Sequence, residues 1–181
     1  EKQLESSPLN RVFKQAAPGD AWAMGQGNEI KFDYQTNASE EVKLFKAITT
    51  WNASLGVYDI SITQNGNYQA HQLYKTITYD ENTPPSGAGG LQEFKDKEGK
   101  VVLKITYNKI NGLPEKHDTY YVYDSFGNLT YVLPPLAEGN ATVSTRDNVG
   151  YQYKEDRRSS VVVHNRAGTQ WGFSVDDKLD S

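Results

Sequence analysis

The sequence predicts an all-β chain of consecutive antiparallel hairpins joined into a twisted, curved sheet. Three observations carry that expectation. Twelve tyrosines and three tryptophans accompany a single methionine, and large, half-polar rings favour half-buried pleated strands over helices. Apolar residues recur at every second position in several stretches, which is the strand period. Short Asn-, Pro- and Gly-rich stretches punctuate these runs as turns and loops do.

The clearest alternation is Val101, Leu103, Ile105 and Tyr107 against Val102, Lys104 and Thr106, which predicts a strand. Val57 to Thr63 leads through "QNGN" to Tyr68, and Asn65-Gly66 is the dipeptide favoured in a two-residue hairpin turn, so a hairpin is expected there. "SEEVKLFKAI" allows a helix capped by Ser39 with Glu40 and Glu41 in its first turn. It also alternates, and the β-branched "AITTW" that follows favours a strand. Thr83 to Gly90, Asn111 to Asp118 and Pro134 to Ser144 read as loops. The "GAGG" run lacks the strand-to-helix setting and the Lys-Ser/Thr of a phosphate cradle.

A repeat is the main clue to organisation. "EFKDKEGKVVLK" from Glu93 aligns with "YVYDSFGNLTYV" from Tyr121, placing Asp96 on Asp124, Gly99 on Gly127 and Val101 on Leu129. A degenerate copy starts at Tyr151, with Lys154 in place of the Asp and Arg157 in place of the Gly, and a fourth trace carries Asp177. These positions lie 28, 30 and 23 residues apart, within the spacing of repeat architectures. The ends echo each other as well. Arg11 to Trp22 and Ser160 to Trp171 share Val, Gly and Trp at matched offsets, which predicts a strand, a Gly turn and a second strand in each. The chain therefore reads as one segment over 1–181, with N-terminal hairpins over 1–92 and repeat units over 93–181, the last of them degenerate.

The recurring Asp and Gly have a physical explanation. In "DSFGN" the Asp124 carboxylate can accept backbone N–H groups ahead of it, and Gly127 supplies a positive φ at the end of the loop. "DKEG" follows the same logic with Asp96 and Gly99. Both describe a type I turn closed by a left-handed glycine, the three-residue hairpin loop, with Tyr121 and Tyr123 on one face of the arriving strand. A structural role is preferred to a catalytic Tyr-Asp pair, because the duplicated copies hold no other polar residue in common.

The run "YYVYDSFGNLTYVLPP", with "LYKTITYDEN" and "EFKDKEGKVVLKITYN" upstream, resembles bacterial Rhs repeat-associated core proteins, also called YD-repeat proteins. More narrowly, "SPLNRVFKQAAPGDAW" to "YVLPP" looks like the region preceding the main repeat array in secreted members. Tyr123, Asp124, Gly127, Asn128 and Leu129 match the repeat signature, whereas the copy from Asp96 to Gly99 lacks the Tyr. The resemblance implies a long sheet that spirals into a hollow shell around a variable C-terminal effector. Related shells occur in insecticidal toxin complexes and in teneurins. It implies a secreted or bacterial cell-surface location, with any export signal expected upstream of Glu1. The family's autoproteolytic motif has no counterpart, since the sequence contains no Asp-Pro, so self-cleavage is not expected of this segment.

The remaining chemistry is sparse. A net charge of -4 and a sequence pI near 5.4 argue against nucleic acid as a partner. There is no cysteine, hence no thiolate nucleophile or thiolate metal site. No apolar run reaches the roughly eighteen residues of a membrane-spanning helix, and membrane insertion is not expected. His71, His117 and His164 are scattered, adjacent carboxylates in a strand face opposite ways, and neither a metal, a cofactor nor a catalytic set is expected. The resemblance also brings carbohydrate binding into view, with Tyr120, Tyr131 and Trp51 as candidate sugar contacts, although cross-strand packing is the preferred reading of these rings. The expected partners are neighbouring repeats of the same chain, an enclosed effector, a glycan in the alternative reading, and a second chain through unpaired sheet edges. A hydrolase would need a cluster of carboxylates or a Ser-His pair that the sequence does not display.

Overall fold

The computed structural model describes residues 1–54, 56–81, 90–110, 113–135, 151–155, 160–166 and 169–173. The architecture is all-β and antiparallel. Its strands are β1 (Lys2–Leu4), β2 (Val12–Gln15), β3 (Ile30–Thr36), β4 (Lys43–Asn52), β5 (Val57–Asn67), β6 (Tyr74–Tyr79), β7 (Leu91–Lys95), β8 (Val101–Ile110), β9 (Leu113–Tyr123), β10 (Leu129–Leu133), β11 (Tyr151–Glu155), β12 (Ser160–Arg166) and β13 (Thr169–Phe173). Two compact units share these strands: residues 1–38 with 70–117, and residues 39–69 with 118–181. Residues 92 and 93, where hairpins were expected to give way to repeats, lie inside β7 of the first unit.

In the first unit the strands run in the order β1-β2-β3-β6-β7-β8. β3 pairs with β6 over six residues, from Lys31↔Tyr79 to Thr36↔Tyr74, although two strands intervene in sequence. Asn37 makes that skip possible. It is fully buried, its Oδ1 accepts the backbone N–H groups of Gln72 (2.9 Å) and Leu73 (2.8 Å), and its own carbonyl accepts from His71 N–H at 3.0 Å. The insert of residues 39–69 therefore leaves and rejoins the sheet through one clasped pair of chain ends. The core of this unit holds Leu73, Ile77, Phe94, Leu103 and Ile105, with Phe94 and Leu103 fully buried. Each such side chain contributes about 1.5–3 kcal/mol relative to exposure.

The second unit contains the β4–β5 hairpin, β9 from Asp118 onward, and then β10, β11, β12 and β13 in that order. β4 forms where the capped helix was the rival reading, and its inner face pairs Phe45 with Gln64, Ala47 with Ile62, Thr49 with Ile60 and Trp51 with Tyr58. Asn65-Gly66 is not the expected hairpin turn. Both residues lie within β5, at a register shift where Lys43↔Asn67 is followed by Phe45↔Gln64. Gly66 has φ +74°, so the dipeptide serves a bulge, which needs the same left-handed glycine as a tight turn. The chain reverses instead between Asn52 and Val57. Tyr131 Oη donates to Ile60 O at 2.6 Å and the rings of Phe45 and Tyr120 meet edge to face at 5.1 Å, which fixes the hairpin onto β9 and β10.

Of the echo between the chain ends, the two strands form at the C-terminal end, where residues 167 and 168 between them lie outside the described residues. β12 and β13 pair from Val162↔Phe173 to Arg166↔Thr169. At the other end β2 is followed by a short 3-10 turn, Asp20–Trp22. Gly19, at φ +113°, leads into that turn and not into a second strand.

Candidate functional site

The two repeat copies adopt the same turn. Asp96 N donates to Lys100 O (2.9 Å) and Gly99 N to Asp96 O (3.1 Å); Asp124 N donates to Asn128 O (2.9 Å) and Gly127 N to Asp124 O (3.1 Å). Asp96 Oδ1 accepts from the N–H groups of Glu98 and Lys100, both at 2.9 Å. Asp124 Oδ1 accepts from Phe126 N–H at 2.9 Å and Asn128 N–H at 2.8 Å. Gly99 and Gly127 have φ +84° and +86°, values that cost an L side chain about 1–2 kcal/mol. Each carboxylate thus stands in for the backbone acceptors that the reversal removes. In the second copy Asn128 Nδ2 adds a bond to Asp124 Oδ2 at 3.1 Å, which gives the signature Asn a role in the turn, while Lys100 Nζ of the first copy donates to Glu98.

A bulge that the sequence reading did not anticipate recurs just after both turns. Phe94↔Leu103 is followed by Lys95↔Val101, and Val122↔Tyr131 by Tyr123↔Leu129. Val102 and Thr130 are the extra residues, 28 positions apart like the aspartates. Both are buried, and Thr130 Oγ1 donates to Val122 O at 3.0 Å. The available signal was the pair of inward residues after each Gly, "VVL" and "LTY", which breaks the alternation. A bulge at a fixed place in each unit increases the local twist of the ribbon.

The proposed sugar contacts separate sharply. Tyr120 is 4% exposed and Tyr131 0%, so neither offers a ring face to a ligand, and this corrects their candidacy. Burial pushes the Tyr120 hydroxyl up to about 12, against a bond with the Lys43 backbone and with a further rise from nearby Asp118. The β4–β5 hairpin covers them, a contact between segments more than seventy residues apart in sequence. Tyr123 stands next to Asp124 at the end of β9, directly opposite Leu129. Trp51 keeps 38% exposure beside Tyr58, ring centroids 5.0 Å apart at 64°.

A second feature lies in the first unit. Gln3, Lys14, Lys31 and Tyr79 form one row across β1, β2, β3 and β6. The β2–β3 ladder consists of Lys14↔Lys31 and Gln15↔Ile30. Beyond it a side chain bridges the strands, Tyr34 Oη donating to Val12 O at 3.0 Å. A cavity of about 370 Å³ opens at this parting, lined by Phe13, Phe32 and Tyr79 with Gln3, Lys14, Lys31 and Asp33.

Charges around the parting are ordered. Glu29, 3% exposed, accepts from Gly27 N–H at 2.9 Å and from Lys14 Nζ at 3.4 Å. Its carboxyl is held below the ordinary range first by its own backbone N–H, against the effect of burial, then by Lys14, the Gly27 N–H and Lys31. Glu5 holds Arg11 in a two-point pair, Nε to Oε1 at 2.9 Å and Nη2 to Oε2 at 2.8 Å, and Arg11 lies 4.7 Å from the Tyr34 ring centre. The Arg11 bonds bring the Glu5 carboxyl down to about 2, against the opposing effect of burial. Among the described residues no three His, Asp or Glu side chains gather as metal ligands.

Residues 1–36 match the family model described as Domain of unknown function (DUF6443). No curated protein and no solved structure matches the chain. The matched segment supplies six of the seven residues that line the cavity, the seventh being Tyr79 of β6.

Proposed function

We propose that this chain is a structural wall segment of an Rhs/YD-repeat protein, secreted or carried on a bacterial surface, that helps to enclose or present a C-terminal effector without itself being an enzyme. The observation that carries the reading is the repeated unit of turn and bulge. Asp96–Gly99 and Asp124–Gly127 share their backbone bonds, carboxylate acceptors, positive-φ glycines and the inserted residue that follows. A strand-turn-strand device that recurs along the chain, here at a 28-residue interval, extends a ribbon by repetition, as a wall requires. Its side chains are spent on backbone N–H groups and so are not free to act on a substrate. The natural polypeptide carrying this segment with its downstream region tests the reading by limited proteolysis. The downstream region should resist cleavage in the wild type and become accessible in the Asp96→Ala/Asp124→Ala double variant. Equal cleavage rates in the two proteins would overturn it.

A glycan-binding reading retains Trp51 and gains Tyr58 at 39% exposure. Their 64° interplanar angle gives no shared flat platform for a sugar ring. Glycan-array binding that disappears in Trp51→Ala would favour it over the wall.

A further inference from the structure

We infer that the cleft between β2 and β3 is a binding site for a small organic monocarboxylate with a flat apolar body. The argument begins with the ladder. Two pairs join β2 to β3, and the strands part where Phe13 and Phe32 would otherwise meet. Successive strand residues face opposite ways, so a hollow lined both by Phe13 and Phe32 and by Lys14, Lys31 and Tyr79 takes in side chains from both faces of the sheet at the parting, as an open cleft. Its volume of about 370 Å³ lies at the small end of ligand sites, which are mostly apolar with a few placed polar groups.

Charge selects the class of ligand. Lys14 and Lys31 stand directly opposite one another, an arrangement that repels unless anions intervene. Glu29 already takes Lys14, while the Lys31 ammonium has no ion pair at bonding distance among the described residues. The one carboxylate in the lining, Asp33, accepts from Gln35 Nε2 at 2.6 Å. Lys31 is thus the group left to receive an incoming carboxylate, with the rings of Phe13, Phe32 and Tyr79 around the apolar body. A charge-assisted bond to Lys31 distinguishes this ligand from its neutral counterpart.

Titration of the full chain with 3-phenylpropionate, followed by amide chemical shifts, tests the inference. Binding in the high-micromolar to low-millimolar range is expected, with shifts centred on residues 13–14 and 31–33. The neutral 3-phenylpropanol should bind about tenfold more weakly, and phenethylamine should not bind. Lys31→Met should weaken the carboxylate about tenfold and leave the alcohol unchanged. Phe13→Ala, at a half-exposed position, should weaken both, and Lys46→Met on the β4–β5 hairpin should weaken neither. Equal affinity for acid and alcohol, preference for the amine, or an affinity indifferent to both Lys31→Met and Phe13→Ala would overturn the assignment. Tight acid binding with shifts elsewhere would do the same.

Discussion

Replacing Asp124 by alanine tests the turn where its geometry is most complete. The substitution removes two carboxylate bonds to backbone N–H groups, at 2.9 and 2.8 Å, and a third to Asn128 Nδ2 at 3.1 Å. Short polar side chains that satisfy otherwise unpaired N–H groups are worth about 0.5–2 kcal/mol. Here the freed groups are partly open to water, which limits the loss, while three bonds converge on one carboxylate, which raises it. The balance sets Asp124→Ala at about 1.5 kcal/mol, or a fall in Tm of about 3–6 °C for a chain of this size. Asp96 makes two such bonds, so Asp96→Ala should lose less, about 1 kcal/mol. Asp124→Asn keeps an acceptor for the N–H groups and should recover roughly half of the alanine loss. Urea titration followed by fluorescence and circular dichroism measures these differences, with the midpoint moving and the slope unchanged. If Asp124→Ala lost no more stability than Glu115→Ala, an exposed strand substitution, the carboxylate would have no part in holding the reversal.

Three further outcomes follow from particular contacts. Tyr131→Phe deletes the 2.6 Å donor to Ile60 O at a buried site and should cost about 1–2 kcal/mol by denaturant titration. Gly90→Ala would place a Cβ 2.8 Å from Ile77 Cγ2 and 2.9 Å from Tyr79 Cδ1, so overpacking of about 1–3 kcal/mol is expected in the same assay. The Glu5 carboxyl falls from 4.5 to about 2 on folding. The folded state therefore binds fewer protons, and the contribution of Glu5 is complete above about pH 4.5 and disappears as pH falls through about 2. Glu5→Gln should flatten the stability profile between those values, and an unchanged acid slope in the variant would refute the assignment to Glu5.

What the sequence disclosed was local, and what it concealed was partnership between distant segments. Asp96, Gly99, Asp124 and Gly127 were legible because a carboxylate bonding N–H groups two and four residues ahead, and a glycine at positive φ, are complete within five residues. The alternation of β8 was legible for the same reason. Asn65-Gly66 correctly announced a left-handed glycine, but a turn and a bulge make the same demand, and the choice lay with Lys43 and Phe45, about twenty residues earlier. Tyr120 and Tyr131 read as candidate sugar contacts because a tyrosine has the same formula exposed or buried. Their burial depends on a hairpin inserted between β3 and β6, whose departure is fixed by one asparagine, Asn37. The cleft was equally hidden, since Lys14, Lys31 and Tyr79 become neighbours only through sheet register.

Amide hydrogen exchange across the two repeat hairpins measures the central claim most directly. If aspartate and glycine fold a continuous paired ribbon, the Lys100 and Asn128 amides bound to the carboxylates and the Phe94, Leu103, Val122 and Tyr131 amides of the flanking strands should be protected together. Asp124→Ala should release Asn128 first and then its flanks, leaving Lys100 slow. Rapid exchange of Lys100 and Asn128 in the wild-type chain, at the rate of open loops, would contradict the account.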